Sequence, residues 1–163
     1  MLRKVFFSFH YQKDVWRVNQ VRNSWLTKPD HETSKFLDAA EREKIWRGGD
    51  AAIKNWINDQ LNGTSVTVVL IGSQTAGRQF VNYEIEQSHR QEKGMLGIYI
   101  HQIKNNNLQQ DNRGKNPLDD WHITENGRKK LLSEIYPTYD WVNDNGYINM
   151  PNWIERAARS AGR

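Results

Sequence analysis

The feature that most constrains the fold is a run of apolar and β-branched residues at positions 64–72, TSVTVVLIG. A strand with one face in water alternates apolar and polar residues, because successive side chains point to opposite faces of the sheet. This run does not alternate, so both faces of the strand are expected to be buried. The segment is therefore predicted to lie in the middle of a parallel sheet that is covered by helices on each side.

The rest of the chain alternates between strand-like and helix-like segments. Apolar residues at helical spacing predict the helices, and β-branched or aromatic runs predict the strands. Asp14 and Asp50 are expected to cap two helices, and Pro151 is expected near the first turn of the last one. Strands are predicted at 3–9, weakly at 34–39, at 64–72, at 95–103 and irregularly within 131–142, and helices at 14–26, 39–49, 50–63, within 73–94 and at 149–163.

This order predicts an α/β fold with a central parallel sheet of about five strands and helices on both faces, joined by right-handed crossovers. The length of 163 residues fits a single domain spanning 1–163. A flavodoxin-like strand order suits that length better than a dinucleotide-binding Rossmann domain. The polar segment 104–130 is predicted to be a loop, and it is long enough to require a functional reason.

Composition excludes several classes of function. The chain has no cysteine, which rules out disulfides and zinc–thiolate sites and makes a reducing cytoplasm the expected location. Its five histidines lack metal-binding spacing, so no metal site is expected. No segment approaches the roughly 20 consecutive apolar residues that are needed to cross a bilayer. The short apolar run at the start of the chain is followed by Asp14, so it is predicted to be a strand and not a signal peptide. The net charge of +4 permits anion binding, but the scattered basic residues disfavour nucleic acid.

Ligands of open parallel sheets bind beyond the carboxyl ends of the strands. Three stretches are expected to converge there: 8–14 (SFHYQKD), 72–78 (GSQTAGR) and 101–107 (HQIKNNN). None contains a phosphate-binding GxGxxG or GxxxxGK[ST] pattern, and the context of Ser73, IGSQT, is not the GxSxG elbow of a serine hydrolase. The stretch 72–78 leads into a helix N-terminus, whose free N–H groups can bind an anion.

One acid lies close to the buried side of the helix that follows, RQFVNYEIEQS at 78–88. Phe80, Val81, Ile85 and Ser88 form its predicted sheet-facing stripe, and Glu84 borders that stripe at i+4 from Phe80. Two interpretations remain open on this pattern. Glu84 either forms a salt bridge at the rim, for example with Arg90 or His10, or points into the cleft as a functional acid.

Sequence motifs that resemble a known family help to choose between these two interpretations of Glu84. KVFFSFHYQKD resembles the first-strand box of TIR domains, and SVTVVLIGSQTAGRQFVNYEIEQS resembles their central strand and the helix after it. In that helix the family pattern is an aromatic residue, then a glutamate followed by an aliphatic, matched here by Phe80, Glu84 and Ile85. DVWRVNQVRNSW, AIKNWINDQLNGTSVTVVLIGSQTAGR and YDWVNDNGY resemble more closely the TIR-like ThsB family of the bacterial Thoeris anti-phage system. The resemblance covers nearly the whole chain and is weakest at 104–120.

The resemblance implies a flavodoxin-like TIR fold that uses NAD as a substrate, with no cofactor. It implies that Glu84 is catalytic and that NAD is converted into an ADP-ribose-derived, cyclic signal that activates a separate effector. A phage-derived trigger and assembly into a homo-oligomer are further expected properties. The candidates for substrate binding are Phe7, Ser8, Phe9 and His10 after the first strand, and Ser73, Thr75, Arg78 and Phe80 after the central one.

Arg78 is the candidate for the pyrophosphate of NAD, since a guanidinium binds phosphate oxygens in a bidentate fashion; its alternative role is to pair with an acid on its own helix. Two other functions remain open. The first is a catalytically silent TIR-like scaffold that works by binding partners. The second is a flavodoxin-like nucleotide-binding domain without turnover.

Overall fold

The computed structural model describes residues 2–163. Seven strands and six helices follow one another within these residues. In chain order they are β1 (Arg3–Ser8), α1 (Tyr11–Leu26), β2 (His31–Thr33), α2 (Ala39–Trp46), α3 (Asp50–Leu61), β3 (Val66–Ile71), α4 (Gln79–Arg90), β4 (Gly94–Tyr99), β5 (His122–Glu125), β6 (Arg128–Leu131), α5 (Leu132–Ile135), β7 (Thr138–Asp140) and α6 (Gly146–Ser160). A short 3-10 turn, Pro117–Asp120, precedes β5.

Five of the strands form one parallel sheet in the order β2-β1-β3-β4-β7. The apolar run occupies its centre: β3 pairs with β1 on one side and β4 on the other, and all six of its residues are buried. The predicted parallel sheet of about five strands is confirmed. Its strand order places the first strand between the second and third along the chain, as in flavodoxin-like folds.

Helices cover both faces of this sheet, as predicted. On one face α1 and α6 pack against the sheet, with Val18, Trp25 and Ile154 fully buried or nearly so. On the other face α3 and α4 provide Ile57 and Ile85. Burying apolar side chains of this size on both faces is the main favourable contribution to folding, at about 1.5–3 kcal/mol for each.

Three local predictions in the first half are wrong. The second strand lies at His31–Thr33 rather than 34–39, because the sheet edge pairs with β1 for only three residues and the chain then leaves it. α1 begins at Tyr11, so Asp14 lies inside the helix and is fully buried instead of capping it. Asp50 is the first residue of α3, whose N-cap is Gly49. A side-chain cap does exist at Asp38, which forms a capping box with Glu41 at the start of α2.

The second half is more regular than predicted. The expected loop 104–130 contains the antiparallel hairpin β5–β6, joined by Asn126 and Gly127, both of which have positive φ. Asn-Gly is the preferred pair for such a two-residue turn, so this signal was present in the sequence. The segment 131–142 contains α5 before the short edge strand β7. α6 begins at Gly146, which places Pro151 inside the helix rather than near its first turn.

Within residues 2–163, no helix combines the length and the apolar character needed to cross a membrane.

Gly94 is required where the start of β4 passes under α6. A Cβ atom at this position would lie 2.6 Å from the backbone oxygen of Ala157. We expect Gly94→Ala to lower the free energy of unfolding by about 1–3 kcal/mol, because the helix backbone must move away. Urea denaturation would measure the change. The matched control is Gly97→Ala in the same strand, whose added methyl would meet only the side chains of Ile71 and Thr138, at 3.1–3.3 Å. Equal losses in the two variants would contradict the prediction.

Candidate active site

A pocket of about 280 Å³ opens at the carboxyl ends of β1, β2 and β3. Its lining comes from residues 6–7 of β1, residues 9–12 after β1, residues 34–37 after β2, side chains of α2 and α3, and residues 78–81 and 84 at the start and on the buried side of α4. Parallel strands bring these connections to one edge of the sheet, although they are far apart in sequence. The sequence predicted a ligand site at this edge of the sheet, but of the three stretches expected to converge there only residues 9–12 of 8–14 and the last residue of 72–78, Arg78, line the pocket, whereas 101–107 does not.

Glu84 lies in this pocket on the buried side of α4. Its side chain is only 9% exposed, and its Oε2 atom has no hydrogen-bond partner within residues 2–163. The rim salt bridge with Arg90 or His10 is not formed. The neighbours of Glu84 on the helix face, Val81 and Ile85, are buried as well. The acid therefore belongs to the buried stripe rather than to its border.

Burial raises the pKa of the Glu84 carboxyl to about 8, because the charged form loses its hydration there. The nearby Ser8 hydroxyl acts weakly in the opposite direction, and its Oγ atom makes no hydrogen bond of good geometry. With this pKa the carboxyl is mostly protonated at neutral pH. A ligand that brings positive charge or hydroxyl donors to Glu84 would favour the carboxylate.

The mouth of the pocket is cationic. His10, Lys35, Arg42 and Arg78 all line it. Burial and then the charges of Arg78, Arg42 and Lys13 lower the pKa of His10. Lys35 is paired with Glu41 at 2.8 Å. The Arg78 guanidinium donates to Gln74, through Nε to the backbone oxygen at 3.0 Å. Such a mouth suits an anionic group.

Aromatic rings form the walls between the mouth and Glu84. Phe9 stacks on Phe36 with ring centroids 5.3 Å apart. Trp46 meets Phe80 edge-on at 5.9 Å and lies 6.3 Å from Trp56. Flat rings of this kind bind planar aromatic groups by stacking. The pocket therefore combines a buried acid, aromatic walls and a cationic mouth.

The structure brings together six of the nine predicted site residues. Phe7, Phe9, His10, Arg78, Phe80 and Glu84 line the pocket. Ser8 is buried beneath it, beside the Glu84 carboxyl. Ser73 and Thr75 lie outside the lining. Ser73 donates to Asp111 at 2.7 Å, and Thr75 accepts from the Gly72 amide at 2.8 Å, so both hold the loop after β3 in shape. Their part in substrate binding stays a prediction.

Other lining residues were missed from the sequence, chiefly Phe36, Arg42, Trp46 and Trp56. They come from the connection after β2 and from two helices, α2 and α3, whose sequences resemble those of ordinary crossover helices. One signal was available, because Arg42 and Trp46 are four apart and therefore share a face of α2. That helix buries none of its residues fully, so it gave no apolar stripe to follow.

A second buried acid lies under the neighbouring loop. Asp14 is fully buried against Gly72, where an added Cβ would lie 2.2 Å from Asp14 Oδ2. Burial raises the pKa of Asp14 to about 6, although the charge of Arg17 opposes this. Arg17 donates from Nε to Ile103 O at 2.7 Å and from Nη2 to Gln109 O at 2.9 Å. Through these contacts the chain after β4 is packed beside the loop after β3, outside the pocket.

The comparisons with known proteins agree with this fold. Residues 6–105 match the family model described as "Thoeris protein ThsB, TIR-like domain". The chain is also 35% identical, over 191 aligned residues, to a protein of Bacillus cereus (strain MSX-D12) named "Putative cyclic ADP-D-ribose synthase ThsB1"; the match covers 94% of this chain and 100% of that protein. With a family match over more than half of its length and a relative aligned along nearly all of it, the chain belongs to the TIR-like ThsB family of Thoeris proteins.

Proposed function

We propose that this protein converts NAD into an ADP-ribose-derived, cyclic product, with Glu84 as the catalytic residue. The observation that carries the proposal is a buried carboxyl without a hydrogen-bond partner on Oε2, in a pocket with aromatic walls and a cationic mouth. NAD matches each part of that pocket, since it has two planar bases, an anionic pyrophosphate and a cationic nicotinamide ring. The name of the Bacillus cereus relative, "Putative cyclic ADP-D-ribose synthase ThsB1", supports the same reaction.

The first chemical step breaks the bond between the ribose C1′ atom and the nicotinamide nitrogen. The bonding electrons leave with nicotinamide, which becomes neutral and needs no protonation. The ribose that remains is an oxocarbenium-like cation, and the Glu84 carboxylate stabilises it by charge and by accepting from ribose hydroxyls. The positive nicotinamide ring of bound NAD favours the ionised form of Glu84, so substrate binding itself prepares the acid for this role.

Cyclisation requires the adenosine half of the same molecule to reach C1′ before water does. A nitrogen of adenine or a ribose hydroxyl then forms the new bond, and a hydroxyl nucleophile releases its proton to solvent or to a base. Holding both ends in one site makes this step intramolecular. The rings of Phe9, Phe36, Trp46 and Phe80 supply surfaces on which the two bases stack and from which water is displaced.

The product would act as a signal for a separate effector protein in anti-phage defence, and a phage-derived trigger would start its synthesis. We infer both the effector and the trigger from the membership of this chain in the Thoeris family.

The proposal is tested in phage-challenged cells that carry the protein, because a trigger is then present. NAD-derived products are measured in lysates by liquid chromatography and mass spectrometry. We expect Glu84→Gln to lower the cyclic product about 100-fold or more, because the charge on the transition state is then unmatched. The matched control is Glu86→Gln on the same helix, which should keep wild-type product levels. Absence of any product from the wild type, or equal product from Glu84→Gln, would refute the catalytic role.

A second candidate function is a TIR-like scaffold without turnover. Trp16 on α1 favours it, because this ring is 51% exposed on a helix whose other face is buried. Exposed large aromatic residues are enriched in protein interfaces. Measurements on the wild type and on Trp16→Ala distinguish the two functions. If the protein is a silent scaffold, Trp16→Ala abolishes phage defence, and cells that carry the wild type contain no NAD-derived product.

A further inference from the structure

We propose that Arg42 is a specificity-determining residue that binds the pyrophosphate of the substrate and selects dinucleotides over nucleosides. The inference rests on the proposed function insofar as NAD is the substrate, but it concerns a residue and a ligand group that can be tested without turnover. Arg42 stands on α2, and Arg78, the predicted pyrophosphate ligand, stands at the N-cap of α4.

Two aromatic rings hold the Arg42 side chain. Its guanidinium carbon lies 4.5 Å from the ring centroid of Tyr11 and 4.3 Å from that of Trp46. A planar guanidinium that contacts ring faces keeps its N–H groups free at the edge of the plane, where they can donate in a fork. The two aromatic rings therefore fix the direction of the donors before any ligand arrives, which reduces the entropy lost on binding.

Within residues 2–163, no hydrogen bond or ion pair joins the Arg42 side chain to a carboxylate. Arg47 provides the contrast, because it lies one turn further along the same region and is paired with Glu43 at 2.7 Å. Lys35, another cation of the mouth, is paired with Glu41. Arg42 is also half-buried, and burial lowers its pKa from the usual value. A partly desolvated cation with no anionic partner is expected to gain more than an exposed one when a phosphate binds it.

Arg42 on α2 and Arg78 at the N-cap of α4 both line the pocket. After burial, the charges of both arginines contribute to the lowered pKa of His10, which lines the same pocket. Both side chains line the pocket with Glu84, which is the one acid in its lining. A pyrophosphate between Arg42 and Arg78 would be held by the two cations, with one half of the dinucleotide extending toward Glu84. A nucleoside has no group for this position, and its binding would leave both cations unmatched.

The test measures equilibrium binding of two ligands to the purified full chain by calorimetry: ADP-ribose, which carries the pyrophosphate, and adenosine, which does not. We expect Arg42→Ala to weaken ADP-ribose binding about 10–100-fold, as loss of a charge-assisted hydrogen bond does, and to change adenosine binding less than about twofold. Arg42→Lys keeps the charge without the fork and should recover part of the affinity. Arg47→Ala is the matched control and should bind both ligands as the wild type does.

Each outcome decides the question. Equal weakening of both ligands would mean that Arg42 only supports the pocket wall, and unchanged ADP-ribose binding in Arg42→Ala would mean that it makes no contact with the pyrophosphate. Failure of the wild type to bind ADP-ribose more tightly than adenosine would also overturn the proposal. If Arg42→Ala does not fold, Arg42→Gln, which keeps the first part of the aliphatic side chain without its charge, gives the same comparison. Selective loss of ADP-ribose binding without NAD conversion in cells would refute the proposed function and leave the role of Arg42 intact.

Discussion

Glu84→Gln is expected to raise the free energy of unfolding by about 2–3 kcal/mol at pH 7 while it removes NAD conversion. The carboxyl of Glu84 is buried with Oε2 unpaired, and its pKa is raised from 4.5 to about 8. An amide of the same shape carries no charge that burial can penalise. Its NH₂ group can also donate to the unpartnered Ser8 Oγ. The acid is thus kept in place at the expense of stability, as is common for catalytic groups.

The sign of the pH dependence follows from the direction of this shift. The folded protein holds the proton of Glu84 more tightly than the unfolded chain does. The loss of folding stability caused by burying Glu84 is therefore nearly absent below pH 4.5. It grows as the pH rises from 4.5 to about 8 and is constant above that. The wild type and Glu84→Gln should therefore have similar stability near pH 4.5 and differ most above pH 8.

Urea denaturation of both variants at pH 4.5, 7 and 8.5 would measure this divergence. Glu86→Gln serves as the matched control, and it should follow the wild type at each pH because its side chain does not line the pocket. Other titrating groups, Asp14 among them, are common to all three proteins and cancel in the differences. A gap between wild type and Glu84→Gln that stays constant with pH would show that Glu84 is not buried in the folded protein as described.

The second large effect is expected at Arg17. Arg17→Ala should lower the free energy of unfolding by about 3–5 kcal/mol, as the loss of one partner of a buried charged pair does. The variant loses donors to the backbone oxygens of Ile103 and Gln109, and Asp14, 4.0 Å away, is left buried without its cation. Hydrogen exchange in residues 101–111 should become faster, because two carbonyl contacts that hold this segment are gone.

A double variant separates the two causes. The double variant Asp14→Asn, Arg17→Ala removes the buried acid that Arg17→Ala leaves without a cation. It should be more stable than Arg17→Ala alone by about 2 kcal/mol at pH 8. The hydrogen exchange of residues 101–111 should stay fast in both variants, since neither restores the donors. A loss below about 1 kcal/mol in Arg17→Ala would contradict the structural role, as would slow exchange of that segment.

The sequence predicts the sheet well because its signals are local. An unbroken apolar run and a regular alternation of strands and helices are properties of short windows, and they lead to the correct order of the five parallel strands. The failures have equally local causes. β2 and β7 contain three residues each, too few for a periodic pattern, and the hairpin β5–β6 is mostly exposed and polar apart from its Asn-Gly turn.

The residues of the candidate site also differ in whether a local sequence signal indicates them. Glu84 was singled out because its helix carries an apolar stripe and because the family pattern has a glutamate between an aromatic and an aliphatic residue. Arg42 and Trp46 were missed because α2 has no buried stripe, and nothing near them in the sequence indicates that they face α4 some forty residues later. Contacts between segments so distant arise only when the parallel strands bring their carboxyl ends together.

The sequence alone determined the α/β architecture and the central position of β3, and it placed Glu84 only at the border of the buried face of α4. Only the tertiary structure decided that Glu84 is buried with Oε2 unpaired, that Arg42 and Arg78 share one pocket mouth, and that Ser73 and Thr75 do not line it. The physical reason is that periodicity depends on neighbours in the chain, whereas burial, charge environment and pKa depend on neighbours in space. The chemistry of this site comes from the second kind.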